Sequence, residues 1–178
     1  MKQSRIVFQT EWFSIEQESF DNIEFLKGKP YYRINSPDGV MILAVTEKTE
    51  IVLVKQFRPS LNQYTLEFPS GAIDKSESLH EAAARELYEE TGFVCKELHS
   101  LGSGRVLMNR QNSTNFAFYG RGAVQKPGYQ ACDNFEVVLA SPAEFKKLVL
   151  SGEFEQFPAF APIVLAAWKY GDNILTSL

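Results

Sequence analysis

Cysteine and long apolar runs are both scarce in this chain of 178 residues. The 2 cysteines, Cys95 and Cys132, permit one disulfide, but they favour two buried thiols in a cytoplasmic protein. No charged start precedes an apolar run of roughly 7–15 residues, so we expect no signal peptide. No stretch of about 18 apolar residues predicts a membrane span. We therefore expect a cytoplasmic protein without a membrane partner.

The charge balance also lacks a basic excess. The formal net charge is −4, which argues against nucleic acid as a partner. It does not argue against nucleotides, because a bound metal would supply local positive charge. With 44% hydrophobic and 22% charged residues, the composition is ordinary for a globular protein, and the length suggests one domain with at most a small addition.

The most informative stretch is residues 71–93, GAIDKSESLHEAAARELYEETGF. Ser78 with Glu81 three residues later forms a possible capping box at a helix start. Three consecutive alanines follow, and Gly92 suits the position just beyond a helix end. The pattern predicts a helix from about Ser78 to Thr91.

The acidic residues of this helix do not lie on its polar side. The inward stripe consists of apolar residues at helical spacing, namely Leu79, Ala82, Ala83 and Leu87. Glu86 follows Leu79 by seven residues and Glu90 follows Ala83 by seven, so both continue that stripe. A solvated acidic face would be the ordinary interpretation of such a charge run, and it fits this placement badly.

Three glutamates crowded at a helix end require compensation. Like charges at this spacing cost about 0.2–0.5 kcal/mol per pair, and the helix dipole disfavours anions at the C-terminus by about 0.3–1 kcal/mol each. We expect Arg85 to pair with one of Glu86, Glu89 and Glu90, but not with all three. Ligands that are all oxygen indicate a hard cation, with Mg²⁺ the first choice and Mn²⁺ the second. That predicts phosphoryl chemistry with a metal-activated water.

The spacing resembles the Nudix hydrolase family, whose signature is G-x5-E-x7-R-E-U-x-E-E-x-G-U, with U a bulky apolar residue. Leu87 and Phe93 fill the apolar positions, and every fixed position is matched, by Gly71, Glu77, Arg85, Glu86, Glu89, Glu90 and Gly92. Residues 67–71 resemble the E-x-P-[AS]-G lead-in of the branch that hydrolyses ADP-ribose and nucleotide sugars. Residues 56–58 resemble its Q-aromatic-R element.

The resemblance implies roles for individual residues. Glu86 and Glu90 would ligate metal directly, Glu89 would ligate a further metal or activate water, and the Ser70 carbonyl would complete the shell. Two or three Mg²⁺ ions, or Mn²⁺ in their place, would be bound. Arg85 would hold a box glutamate in position.

Substrate contacts are expected outside the box. The resemblance implies that Arg58 contacts a phosphate or the nucleotide. In the polar segment 102–113, Arg105 and Arg110 suit a diphosphate and sugar hydroxyls, although an ordinary polar loop would read the same way. This segment has Asn109 where the branch usually carries proline.

The general base has three candidates. Members of the branch often use a loop glutamate before a late strand. In this chain Asp133 lies nearest that position and Glu136 next. The box residue Glu89 is the third candidate, and a mere surface position is the alternative for each of the two loop acids.

The resemblance implies an α/β fold, a Nudix-type α/β/α sandwich with a mixed sheet. Residues 36–178 would form the Nudix domain. Residues 1–35 would form an N-terminal β segment of the kind that this branch exchanges across a homodimer. Trp12 in this segment would then stack on a base, with packing in a core or dimer interface as the alternative.

The hydrophobic patterns add predicted elements along the chain. Strands are predicted at 6–8, 12–20, 31–34, 40–45, 51–57, 94–101, 114–119 and 135–139. Ser141, Pro142 and Glu144 predict a helix start, with an end near Gly152. A last helix is predicted from near Pro162 to Gly171.

These observations favour hydrolysis of a nucleoside diphosphate linked to another group. ADP-ribose or a related nucleotide sugar is the first candidate for the substrate. A nucleoside monophosphate and a sugar phosphate would be the products. Another diphosphate, such as a dinucleotide, coenzyme A or an RNA end, is the alternative within the family. A non-catalytic nucleotide sensor on the same fold is the alternative of a different class.

Overall fold

A computed structural model of the chain describes residues 3–131 and 134–171. The strands are β1 Gln3–Gln9, β2 Ser14–Ser19, β3 Tyr31–Asn35, β4 Gly39–Thr46, β5 Ile51–Arg58, β6 Gln63–Glu67, β7 Ser70–Ala72, β8 Phe93–Val94, β9 Glu97–Gly104, β10 Asn115–Gln125 and β11 Phe135–Ala140. The helices are α1 Leu79–Thr91, α2 Pro142–Ser151 and α3 Phe160–Tyr170. Short 3-10 turns occur at Glu24–Leu26 and Phe157–Ala159.

The chain divides into two compact units. Among the described residues, the first contains 3–39 together with Gly104–Asn115, and the second contains Val40–Ser103 together with 116–131 and 134–171. In the first unit, β1, β2 and β3 form an antiparallel sheet in that order. Ile34 of β3 forms a parallel bridge with Gln111, so the segment 104–115 is attached to this N-terminal sheet.

The second unit is organised around a larger sheet with strand order β11-β5-β4-β10-β8. The strands β6, β7 and β9 pair with β5, β4 and β10 respectively. Strand β5 is antiparallel to β4, β6 and β11. Strand β5 therefore pairs with three other strands, and it ends at Arg58.

Both faces of this sheet are covered. Alternate residues of β4 and β5 pack against one of two cores, as the period of two in a strand requires. Leu43, Val45, Ile51 and Leu53 join the core with α2 and α3, whereas Ile42, Ala44 and Val52 join the core with α1. This arrangement explains why 40–45 and 51–54 are continuously apolar. The α/β/α sandwich predicted from the sequence is confirmed.

Local signals place the helix ends. The Ser78 hydroxyl accepts a hydrogen bond from the Glu81 N–H at 3.3 Å, and the Glu81 carboxylate accepts one from the Ser78 N–H at 2.8 Å. Gly92 ends α1 with a φ of 71°, in the left-handed region that glycine adopts readily. A capping box at Ser141 also starts α2. The predictions for both helix starts are confirmed.

The strand predictions are less complete. Strands β6 and β7 were not predicted, and the predicted strand 94–101 is divided into β8 and β9. Strand β10 extends six residues beyond the predicted end, to Gln125. None of the helices within 3–131 and 134–171 is long and apolar enough to cross a membrane.

Candidate active site

The inward stripe of α1 carries acidic residues at its C-terminal end. Glu90 is buried with 6% exposure, and the Glu86 side chain is 13% exposed. Glu89 is turned outward, with 56% of its side chain exposed. The prediction that Glu86 and Glu90 continue the apolar stripe is therefore confirmed.

Arg85 is the centre of the charge network. Its guanidinium donates to the Glu77 carboxylate through two nitrogens, at 3.0 and 2.6 Å. A third nitrogen donates to Glu86 at 2.7 Å and to Glu89 at 3.1 Å. Arg85 therefore pairs with one more box glutamate than the single partner expected, but not with all three. The planar fork of a guanidinium has donors on several sides and reaches two of them, together with Glu77.

The same arginine fixes the loop before the helix. It donates to the Ala72 carbonyl at 3.0 Å, and Glu77 also accepts from the Asp74 N–H at 2.7 Å. Hydrogen bonds from Arg85 and then from Asp74 lower the pKa of Glu77 to about 2. Arg85 thus joins the loop 72–77 to the acidic end of α1.

Gly71 lies directly against the Glu86 carboxylate. A Cβ atom added at Gly71 would stand 2.2 Å from the Glu86 Cδ atom. No real Cβ contact is that short, so residue 71 must lack a side chain for Glu86 to adopt this position. Glycine is required here by close approach and not by backbone angle.

Glu90 is held against the backbone of the same turn. Its carboxylate accepts a hydrogen bond from the Ser70 N–H at 3.0 Å. Burial is the main cause that raises the pKa of Glu90 to about 8, and the charges of Glu86 and Glu67 act in the same direction. The Ser70 N–H and Arg58 act against this shift. Burial likewise raises the pKa of Glu86, and Arg85 partly offsets it.

A second charged pair lies on the same side of the sheet. Arg58 donates to both oxygens of Glu67, at 2.6 and 2.5 Å. Glu67 also accepts from the Thr65 hydroxyl at 2.6 Å and from Gln156 Nε2 at 3.2 Å. Burial alone would raise the pKa of Glu67, but the hydrogen bonds from Arg58 and Thr65 hold it below its ordinary value.

The glutamates fit a hard divalent cation by the chemistry of their donors. Buried carboxylates are normally paired with an opposite charge or bound to a metal. The negative charge of Glu86 acts unfavourably on ionised Glu90, so a cation between them would stabilise both. Within 3–131 and 134–171, however, no group of three or more His, Cys, Asp and Glu side chains is gathered around a possible metal position. The carboxylates instead face Arg85 and the Ser70 N–H.

Three of the predicted substrate contacts lie in the first unit. The Arg110 guanidinium stacks over the Tyr31 ring at 4.6 Å and donates to the Asn109 carbonyl. Arg105 donates to the Asn112 carbonyl. Trp12 is 70% exposed. Arg58 lies in the second unit with the box glutamates.

The two loop candidates for the general base differ. Asp133 lies outside the described residues. Glu136 pairs with Lys55 at 3.1 Å. Its neighbours along β11 show which face it occupies, because Val137 packs with the core of α1 and Val138 with the core of α2 and α3. The Glu136 side chain therefore lies on the sheet face away from α1, and the structure does not bring it to the box glutamates.

Sequence reasoning missed two residues that support the site. The Gln156 side chain accepts a hydrogen bond from the Phe68 N–H at 2.8 Å and donates one to the Glu67 carboxylate. Tyr129 donates to the Glu89 carbonyl at 2.8 Å and covers Gly92, where a Cβ would stand 2.2 Å from its ring. Neither residue is marked by local sequence, because both contacts join segments that are distant along the chain.

Comparison with known proteins agrees with this geometry. The model of the NUDIX domain matches residues 35–159. The chain belongs to the Nudix family. Within it, the chain is 40% identical over 80 residues to the ADP-ribose pyrophosphatase of Bacillus subtilis (strain 168), covering 44% of this chain and 43% of that protein. It is 29% identical over 120 residues to the methanol dehydrogenase activator of Bacillus methanolicus, and the match covers 66% of this chain and 65% of that protein.

These matches span less than two thirds of either relative. A solved structure, described as an ADP compounds hydrolase, superimposes with a TM-score of 0.80 and covers 97% of this chain and 94% of that one. At 21% sequence identity this likeness establishes the Nudix fold of the chain.

Proposed function

We propose that this chain is a metal-dependent hydrolase that cleaves the diphosphate bond of ADP-ribose or a related nucleotide sugar. The observation that carries the proposal is the pair of inward carboxylates, Glu86 and Glu90, set against the Ser70–Gly71 backbone in a chain of the Nudix family. The name of the Bacillus subtilis relative supports ADP-ribose as the first substrate to test.

The proposed metal ligands are Glu86, Glu89, Glu90 and the carbonyl of Ser70. They would hold two or three Mg²⁺ ions, with Mn²⁺ as a substitute. When bound, such ions supply positive charge to the diphosphate and lower the pKa of water. For Glu86 and Glu89 to act as ligands, they must exchange their hydrogen bonds with Arg85 for the cation. Arg85 keeps its two bonds to Glu77 in that exchange and so continues to hold the loop.

The reaction needs a base, an attacking water and a leaving group. Glu89, or Asp133, accepts a proton from the water. The water oxygen then forms a bond to one phosphorus as the bond from that phosphorus to the bridging oxygen breaks. The products are AMP and a sugar phosphate. Arg58 would contact the diphosphate, and it would have to share its guanidinium with Glu67.

The remaining features of the proposal concern assembly. Residues 1–35 would serve as a segment exchanged in a homodimer, with 36–178 as the hydrolase domain. Trp12, Arg105 and Arg110 would then bind the nucleotide. We also propose a cytoplasmic location, and nucleic acid is not expected as a partner.

The test is hydrolysis of ADP-ribose in Mg²⁺, with products identified by mass spectrometry. We expect AMP and ribose phosphate from the wild type, no turnover in EDTA, and at least about a thousandfold loss in Glu90→Gln with the fold intact by circular dichroism. Glu47→Gln is the matched control, because Glu47 is an exposed glutamate paired with Lys96. Undiminished turnover by Glu90→Gln, or turnover in EDTA, would refute the metal site.

A panel of other diphosphates separates the alternatives. Cleavage of a dinucleotide, a coenzyme A derivative or a capped RNA end in preference to ADP-ribose would change the substrate and keep the chemistry. Tight binding of ADP-ribose in Mg²⁺ without release of AMP would indicate a sensor.

A further inference from the structure

Gln56 is a buried polar residue without an evident structural purpose. It is 7% exposed, and its side-chain Nε2 atom has no hydrogen-bond partner among the described residues. Its backbone is accounted for, because it pairs with Thr65 on one side and with Phe135 on the other. Buried polar side chains in native proteins nearly always have a partner, so each exception calls for an explanation.

The position of Gln56 in β5 places it beside the candidate active site. Residues 52, 54, 56 and 58 share one face of the strand, because side chains alternate. Val52 on that face packs with the core of α1. Arg58 on the same face pairs with Glu67, and both of these charges act on Glu90. Gln56 therefore lies on this face between Val52, which packs in the core under α1, and Arg58, which pairs with Glu67 at the candidate active site.

The protein does not need a carboxamide here for stability. A methionine or leucine of similar volume would fill the space without burying an unpaired donor. The Thr65 hydroxyl lies 3.5 Å from the Gln56 backbone carbonyl and donates to Glu67, so it does not satisfy the Gln56 Nε2 atom. A polar group kept at this cost, and on this face, is most simply explained by a ligand that satisfies it.

The chemistry of the carboxamide narrows the ligand group. A half-turn exchanges its donor and acceptor ends, and the two orientations are assigned from the hydrogen bonds present. A hydroxyl both donates and accepts, so it matches either end. A phosphate oxygen only accepts, so it could pair with the donor end of the carboxamide alone. A sugar hydroxyl is thus the group that fits the position best.

We propose that the Gln56 carboxamide binds a hydroxyl of the sugar portion of the substrate. The proposal rests on the proposed function, since it concerns the same site, and it assigns to Gln56 a role in substrate selection. A site built to pair a hydroxyl discriminates strongly against a substrate that lacks it, because the buried amide is then left unpaired.

Thermal unfolding without ligand is the first test. Gln56→Met removes the unpaired amide and should raise Tm. Gln125→Met is the matched control, because the Gln125 amide donates to the Thr91 carbonyl at 3.0 Å and its loss should lower Tm. A lower Tm for Gln56→Met, repeated in Gln56→Leu, would show a structural role and overturn the proposal.

Kinetics with deoxygenated substrates is the second test. With ADP-ribose and Mg²⁺, Gln56→Met should lose about tenfold or more in kcat/KM. With one of the analogues that lack a single ribose hydroxyl, the wild type and the variant should be equal. An equal loss with ADP-ribose and with every deoxy analogue, or no loss with any of them, would overturn the proposal.

The failure of hydrolysis itself is distinguishable from the failure of this proposal. If the wild type releases no AMP from ADP-ribose, the proposed function fails. Calorimetric titration with ADP-ribose then decides the role of Gln56. Binding that is about tenfold weaker in Gln56→Met supports the assignment, whereas equal Kd values reject it.

Discussion

A methyl group added at residue 71 should separate the position of Glu86 from the stability of the fold. The added Cβ would lie 2.2 Å from the Glu86 Cδ atom, whereas carbon atoms in contact are about 3.5–4.0 Å apart. The carboxylate must therefore retreat by more than about 1 Å. The displaced group is the end of a side chain, so the backbone can remain in place.

A misplacement of about 1 Å in a catalytic group can cost roughly a hundredfold in rate. We accordingly expect Gly71→Ala to lose about a hundredfold in kcat/KM for ADP-ribose in Mg²⁺, which corresponds to about 2.7 kcal/mol. Its thermal unfolding should change little. Gly104→Ala is the matched control, because it adds the same methyl group where no atom lies within 4 Å.

A double-mutant cycle with Glu86→Asp sharpens the test. If Gly71→Ala acts by displacing the Glu86 carboxylate, the losses of the two single variants should not add in the double variant. Full additivity would mean that residue 71 acts by some other route. Activity of Gly71→Ala within about twofold of the wild type would refute the reasoning directly.

Four further predictions concern stability and reactivity. Ser78→Ala removes the cap of α1 and should lower the free energy of unfolding by about 1 kcal/mol in urea titration; an unchanged midpoint would contradict the capping role. Burial raises the pKa of Cys95 to about 11, so in a Cys132→Ser background alkylation by iodoacetamide at pH 8 should be about a hundredfold slower when folded than in urea. The same shift should lower stability as pH rises from about 9 to about 11, because only the unfolded thiol ionises there. Tyr129→Phe loses the bond to the Glu89 carbonyl and should lower unfolding free energy by about 1 kcal/mol, whereas equal stability would show that this bond contributes nothing.

The parts of the molecule that the sequence predicts are those determined by neighbouring residues. Ser78, Glu81 and Gly92 mark both ends of α1 because caps depend on contacts within one turn. The same holds for Ser141 at the start of α2. The inward placement of Glu90 follows from helical period alone.

The parts that were missed depend on partners far along the chain. Strand β6 reads as polar because Gln63, Thr65 and Glu67 alternate with less polar residues, and its partners are β5 and the Arg58 guanidinium. Only the folded chain shows that Gln156 completes this network. The number of glutamates that pair with Arg85 was also underestimated, because counting charges does not consider that a guanidinium donates hydrogen bonds in several directions.

Strand β5 has a consequence for how the chain finds its alignment. Because apolar residues face both layers along 51–54, shifting the strand by one position would exchange two sets of similar side chains at small cost. The two faces of the strand differ in polarity only near its end. There, a shift by one residue would turn Gln56 and Arg58 toward the layer of α2 and α3 and would turn Lys55 toward α1. Lys55 and Arg58 therefore also fix the register of the central strand, so a substitution at either position that is meant to alter substrate preference must first be checked for correct folding.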